Sequence, residues 1–476
     1  DAENFRLYDL YNESGVVNEN VFAYTNRAGN EHAFVLYNNY WEESWGWIKG
    51  SASYIVKEDG RKVRRSATLA DALGLKRDYH RYCIMREQRS GLWYIRNSGE
   101  LHEQGMFVHL SGYQSQVFTD IYEATDNEYA HYAQLADSLD GRGTPDIHRA
   151  LREVSLKPLH DAFASPLNSG TARAMVHEFL RKGEPMDFRL LADEYRSFLS
   201  IAREFTNRPT DLERGAHEFT SLTNGLARMR QLATLSERQS ELTGRSVSSQ
   251  DAKSQAAKSQ GSDSPAGTET PKSGEARQVG SDQLSKKENQ ELQEAIALMA
   301  SHLAERSGIG DMSILAAVLF LLPINSLVTG DEETKEKVPA LDRGYEGLEL
   351  VDSWLLIDRA AEVFRHIHPE RELPSVWRPL VKMLLLHFNW QEYAPKGKPA
   401  EALSSLFDDE VALSFLGVNY HEGVRWYNKE MFQEMTEWFF LVGAWHACTE
   451  QRQPEEQILR VYRAYKRWKR AEPLSN

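Results

Sequence analysis

Two apolar runs, Val21-Phe-Ala-Tyr-Thr-Asn26 and Ala33-Phe-Val-Leu-Tyr-Asn-Asn39, flank the polar segment Arg27-Ala-Gly-Asn-Glu31. Aromatic and β-branched residues suit a pleated, half-buried surface, and a central glycine suits a tight turn, so the pattern predicts a β-hairpin. An aromatic-dense strand follows over 44–56. A helical turn is expected over 66–74, where Ser66 or Thr68 can cap its start and Gly74 its end. Strands resume over 82–86 and 91–96, around the polar turn 87–90, and again over 106–110 and 116–122, around 111–114. Residues 97–105 read as a loop or short helix. Short strands at this spacing predict a small antiparallel β-sandwich over 1–125.

From 126 onward the period changes. Tyr129, Tyr132, Ala133, Leu135, Ala136 and Leu139 recur mostly at three- and four-residue steps, which is helical. Gly141 to Pro145 ends that helix, and Asp146 can cap the next. Further helices are expected over 171–181, 186–204 and 212–242, giving a first helical region over 126–244. Residues 245–287 are built from Ser, Gln, Lys, Gly and Pro with almost no large apolar side chain. Such a stretch cannot bury enough surface to offset its ordering entropy and is expected to be a disordered insertion. Helical periodicity returns over 288–476, with segments at 289–303, 314–322, 347–364, 377–388, 400–408, 429–448 and 454–469. The fold class expected is therefore β followed by α: a β-sandwich, then an all-α region in two parts.

Composition narrows the function classes. Of 476 residues, 41% are hydrophobic and 26% charged, the balance of a chain with a sizeable core. A net charge of −14 argues against nucleic-acid binding, which needs clustered Lys and Arg. Cys83 and Cys448 are the sole cysteines, so no disulfide framework is implied and a reducing, cytoplasmic setting is expected. The chain begins at Asp1 with no visible signal peptide and reads as a piece of something longer. The apolar run 314–324 is about half the length of a membrane helix and contains Pro323, so a buried helix is expected and no membrane partner.

Three stretches carry a resemblance. The hairpin segments, together with Gly46-Trp-Ile48, look like the region that follows the catalytic barrel in large bacterial members of the alpha-amylase family of glycoside hydrolases. Residues 106–118 resemble the closing strand pair of the β-domain behind such barrels. Residues 415–428 resemble part of the helical extension in the same large proteins. The resemblance implies a non-catalytic C-terminal portion of a protein acting on α-glucans, partnered by a (β/α)8 barrel in the same or another chain. A barrel needs about 250 residues of alternating strands and helices, and none is present here. His160-Asp161 matches the family's substrate-binding His-Asp pair only in residue type: it sits in a helical stretch, and no catalytic residue carries over.

Other chemistry is sparse. His366 and His368 supply two ligands where zinc needs three or four, so no metal or other cofactor is expected. Neither a phosphate-binding loop nor a nucleophile elbow is present. Asp408-Asp409-Glu410 reads as a helix start. The candidate carbohydrate-binding residues are Tyr40, Trp41, Trp45 and Trp47, with Tyr37 beside them, because flat aromatic faces stack on sugar rings. Trp45 and Trp47 share one face of a strand, which could equally be core or a surface docked to another domain. Trp426, Tyr427, Trp438, Phe439, Phe440 and Trp445 are expected in the helical core, as is the stripe Tyr462, Tyr465 and Trp468. The alternative function is a helical protein-interaction module on a β-sandwich scaffold.

Overall fold

The computed structural model describes residues 4–58, 60–180, 182, 184, 186–206, 212–256, 285–306, 308–328, 340–367, 372–393, 406–449 and 453–470. The chain divides into two compact units, Asp1–Lys157 and Pro158–Asn476.

The first unit is built on one antiparallel sheet. Its strands are β1 (Arg6–Tyr11), β2 (Val17–Ala28), β3 (Glu31–Asn38), β4 (Ser44–Ser51), β7 (Arg81–Glu87), β8 (Trp93–Asn97), β9 (Met106–Leu110) and β10 (Ser115–Thr125). They lie side by side in the order β8-β7-β10-β3-β2-β1-β4-β9. A separate hairpin of β5 (Tyr54–Glu58) and β6 (Arg61–Arg65) completes the strands. The expected hairpin is β2–β3, paired from Val21–Asn38 to Ala28–Glu31, with Gly29 at φ +61° in its turn.

The sheet is curled. β9 and β10 lie five strand spacings apart in the sheet order, roughly 24 Å if the sheet were flat. Yet only 111–114 joins them, and five residue steps span at most about 17 Å. Curling brings the β9 edge back towards β10 and β3. The two layers expected of a sandwich are the two arms of this half-barrel, and one core lies between them. Leu10, Ala23, Phe34, Leu36, Ile48, Met85, Val108 and Phe118 all belong to it.

Two short helices add to the same core. In α1 (Leu69–Ala72), Thr68 and Asp71 form a capping box and Gly74 follows at φ +72°, so the expected cap is Thr68 and the expected stop is Gly74. In α2 (Ser98–Glu103), Asn97 caps the first turn and Leu101 reaches the core.

Helices α3 (His131–Leu139) and α4 (Ile147–Ser155) belong to this unit as well, which therefore extends past the strands to Lys157. Alternation on β7 explains why: Cys83 and Met85 face the inner core, while Tyr82 and Ile84 face outward and are covered by Leu135 and Ile147. Asp146 caps α4 as expected, accepting from the His148 and Arg149 amides.

The second unit is helical. In order come α5 (Lys157–Asn168), α6 (Gly170–Ala174) with a π-turn over Met175–Leu180, α7 (Arg189–Glu204), α8 (Leu212–Ala256) and α9 (Lys286–Glu305). Then follow α10 (Ile309–Leu321) with a 3-10 turn over Leu322–Leu327, α11 (Ala340–Ser353), α12 (Leu356–Ile367), α13 (Trp377–Leu386), α14 (Trp390–Tyr393), α15 (Glu410–Leu416), α16 (Lys429–Thr449) and α17 (Pro454–Arg470). Helix α8 runs into the stretch expected to be disordered, since extending an existing helix avoids the cost of nucleation. Of the rest of that stretch, 285–287 open α9, with Ser285 as its cap, and 257–284 lie outside the described residues, as do residues 400–405 of the helix expected over 400–408.

The helices on both sides of 245–287 share a core. Tyr195 stacks on Phe219 at 4.1 Å between ring centroids, and its hydroxyl donates to the Phe320 carbonyl at 2.7 Å. The Trp445 indole N–H donates to the Leu222 carbonyl at 2.8 Å. The apolar segment Gly310–Leu327, long enough to cross a membrane by length and composition, is 83% buried inside this unit. Trp438, Phe439, Phe440, Trp445, Tyr462, Tyr465 and Trp468 are buried as expected.

The segment 415–428, likened to part of a helical extension, contains a hairpin. Gly417, at φ +60°, ends α15, and the chain then forms a hairpin of β11 (Asn419–His421) and β12 (Val424–Trp426). Glu422 and Gly423, at φ +51° and +81°, make its two-residue turn, a geometry that favours glycine. Trp426 stands 56% exposed on this hairpin instead of entering the core, and Tyr427 is half-buried.

Replacing Tyr195 by Phe keeps the stacked ring but removes the donor to Phe320. A loss of about 1 kcal/mol is expected. It is read as a lower urea midpoint of the helical circular dichroism signal, with an unchanged slope.

Candidate functional site

Backbone alternation decides where the aromatic residues go. On β4, Ser44, Gly46 and Ile48 point into the core, so Trp45 and Trp47 lie on the outer face. The inward position 46 is held by glycine because a β-carbon there would run into the Tyr11 carbonyl. Trp47 packs edge-on against Phe107, its partner on β9, at 5.0 Å, and pairs with Tyr11 on β1. Trp45 is 44% exposed opposite His109, whose Nε2 lies 3.0 Å from Glu43 Oε2. Beyond β1, on β2 and β3, Phe22 pairs with Tyr37, both exposed. Among the described residues, no helix of this unit covers these residues as α3 and α4 cover β7, β8 and β10.

At the end of this arm, the turn 39–43 leaves β3 and the turn 111–114 leaves β9. Their junction is held by Asn38, a fully buried amide. Its Nδ2 donates to the Glu42 carbonyl at 2.8 Å and the Ser111 carbonyl at 3.0 Å, while its Oδ1 accepts from the Tyr40 amide and the Ser44 hydroxyl, both at 3.2 Å. The Tyr113 amide donates to the Tyr40 carbonyl at 3.0 Å, and a β-carbon at Gly112 would collide with the Trp41 carbonyl. The two turns are thus locked together. Trp41 (64% exposed) and Tyr113 (62% exposed) project from them, with the half-buried Tyr40 ring 5.6 Å from Trp41.

Of the four residues marked in the sequence, Tyr40 and Trp41 share this junction while Trp45 and Trp47 share the outer face of β4. Asn38 and Tyr113 complete the site and escape a sequence reading. An asparagine at a strand end looks like turn chemistry, and the bond that joins the two turns goes to Ser111, 73 residues away.

The other groups singled out in the sequence lie elsewhere. His160 Nε2 pairs with the Trp354 carbonyl at 2.8 Å, and Asp161 lies 3.8 Å from Arg359. Cys83 and Cys448 are buried, and burial pushes both thiols up to about 12. His366 is exposed, while His368 lies outside the described residues. Among the described residues no group of three or more His, Cys, Asp or Glu could hold a metal ion.

Asp409, expected at a helix start, does cap α15, accepting from the Val411 and Ala412 amides. It also accepts from Tyr345 Oη at 2.6 Å and lies 3.2 Å from His387 Nε2. Burial alone would raise this carboxyl. The bonds from His387, Tyr345 and the backbone outweigh it and hold the group below its ordinary value.

In comparisons with protein-family models, curated protein sequences and solved structures, nothing matches the chain.

Two outcomes are expected from these arrangements. Asn38→Leu strands four polar groups and should cost about 2–3 kcal/mol. It should also speed amide exchange over 39–43 and 111–114 while leaving the β2–β3 ladder slow. For Asp409 the folded-state value is depressed, so its contribution is complete above the ordinary 3.8 and lost as pH falls through the lowered value. Asp409→Asn should therefore be less stable than wild type by about 1–3 kcal/mol near neutrality. In urea melts the difference should narrow below about pH 4.

Proposed function

We propose that this chain is the non-catalytic portion that follows the barrel in a large alpha-amylase-family protein acting on α-glucans. One observation carries the reading: an aromatic outer face left bare on one arm of the sheet, ending in a rigid platform of Trp41, Tyr40 and Tyr113. The two parts of that surface suit different roles. Trp47 packs against Phe107, with Tyr11 paired beside it on β1, as apolar residues do where a second domain seats. Trp41 and Tyr113 project from a locked junction beside polar backbone, which suits stacking on a sugar ring. In this role the chain supports a (β/α)8 barrel of the same or another chain and docks its substrate, and bond cleavage belongs to the barrel.

A second reading, a helical protein-interaction module on a β scaffold, is favoured by the hairpin β11–β12. Tyr420, Val424 and Trp426 stand exposed on it. Arg425 fixes its base to the Phe407 carbonyl at 2.8 Å and to Asp408 at 3.1 Å.

Titration of the intact chain with soluble maltoheptaose separates the two. The first reading expects binding without hydrolysis, weakened about tenfold in Trp41→Ala, the loss of roughly one stacked aromatic contact. It also expects Trp426→Ala to bind as wild type does. Hydrolysis by the chain itself, or binding insensitive to Trp41, counts against it.

A further inference from the structure

The sheet opens at one place. β10 pairs with β3 only from Ser115 to Phe118, and beyond Phe118 it follows β7 alone. The register slips between Thr119 and Tyr122, with Asp120 at φ +50° in the bulge. Residues 31–33 of β3 therefore have β2 on one side and no strand on the other. The gap between them and residues 119–121 is a groove of about 430 Å³. That is within the range of small-ligand sites, about 300–1,000 Å³. Bulges recur beside such sites because they re-aim side chains and end strand pairing.

The chemistry of the lining restricts the ligand. Asn26, Arg27, Glu31, His32, Thr119 and Asp120 put one guanidinium, two carboxylates, an amide, a hydroxyl and an imidazole around one space. Two carboxylates beside one arginine repel an anion, and the arginine repels a cation. Glu31, His32 and Asp120 are not a metal-ligating group. A mixture of donors and acceptors in which one guanidinium offsets one of two carboxylates fits hydroxyl groups, each of which both gives and takes a hydrogen bond.

His32 adds a separate observation. Its Nδ1 is buried with no hydrogen-bond partner among the described residues. Burial, and then the charge of Arg27, lower its proton affinity, so the ring is neutral near pH 7 and offers one donor and one acceptor. The ring packs beside Gly74, where a β-carbon would sit 3.5 Å from it. The Arg27 guanidinium is aimed by its own Nε, which donates to the Gly29 carbonyl at 2.9 Å.

We propose that this groove binds a neutral oligosaccharide edge-on, through hydrogen bonds to Arg27, Glu31 and Asp120 rather than through ring stacking. Naming the sugar as an α-glucan rests on the function proposed above; the polyhydroxyl chemistry of the site does not.

The test is titration calorimetry on the intact chain with maltoheptaose and with cellohexaose. Three proteins are compared: wild type, the groove variant Glu31→Gln/Asp120→Asn, and Trp41→Ala. Both groove substitutions keep side-chain size, and Asn tolerates the positive φ at 120. An unchanged circular dichroism spectrum confirms that the fold is kept. Hydrogen exchange at 31–33 and 119–121, with and without saturating sugar, locates the bound ligand independently.

The groove variant should bind its sugar about tenfold more weakly, while Trp41→Ala retains that component, and sugar should slow exchange at 31–33. Weakening confined to cellohexaose supports the groove and ends the α-glucan reading. Binding unchanged in the groove variant but lost in Trp41→Ala overturns the groove and leaves the platform standing. Absence of binding of either sugar to wild type overturns both.

Discussion

Closure of the sheet is the constraint on which the first unit depends. A four-residue connection must join strands that the sheet order sets five positions apart, and only a curled sheet can satisfy it. Curling turns one face of every strand inward, so a single core collects side chains from β1 to β10. Asn38 sits at the seam. From the end of β3 it donates to the turn leaving β9, so strands that are not neighbours in the ladder are tied by one side chain. A buried amide costs free energy unless its bonds are made, and here all of them depend on the two turns being where they are. The residue that closes the fold is therefore also the one that positions Tyr40 and Trp41.

A sheet has a second face, and the protein treats it in two ways. On β7, β8 and β10 the outward residues are apolar and are covered by α3 and α4, with the Trp93 and Thr144 backbones exchanging hydrogen bonds at 2.8 Å. On β2, β3, β4 and β9 the outward residues include Phe22, Tyr37, Trp45, Trp47 and Phe107, and among the described residues no helix of the unit lies over them. Scattered exposed apolar residues are ordinary, but contiguous aromatic ones on paired strands mark a surface with a use. It is the contrast between the two arms, more than the number of aromatics, that gives the bare face its meaning.

The sequence carried the local structure well where period and caps agree. The β2–β3 hairpin, the Thr68 and Asp146 caps, and the stripe of Tyr462, Tyr465 and Trp468 all follow from spacing alone. It left the outcome open where the core depends on small residues. In Trp45-Gly-Trp47 the spacing allows core or outer face for the tryptophans, and the inward position belongs to Gly46, because the Tyr11 backbone passes too close for a side chain. Residues 415–428 resemble part of a helical extension, but Glu422-Gly423 can occupy the left-handed region and folds the stretch back into a hairpin. The Asn38 junction and the groove at 31–33 were illegible for another reason. Each joins segments more than 70 residues apart, and no local period encodes such a meeting.

The two proposed sugar contacts lie at opposite ends of the same strand. Glu31 begins β3 beside the groove and Asn38 ends it beside the platform, seven residue steps or about 23 Å away. A ladder paired along its whole length holds that distance nearly fixed. A short ligand can occupy one end only and gains nothing from the other. A polymer long enough to span both converts its second contact into an intramolecular one, whose effective concentration is set by how well the span matches the ligand. Two individually weak sites on a rigid hairpin therefore favour long chains over short ones without any new contact. The same rigidity limits the gain, since a ligand too stiff to follow the curve of the sheet cannot reach both ends.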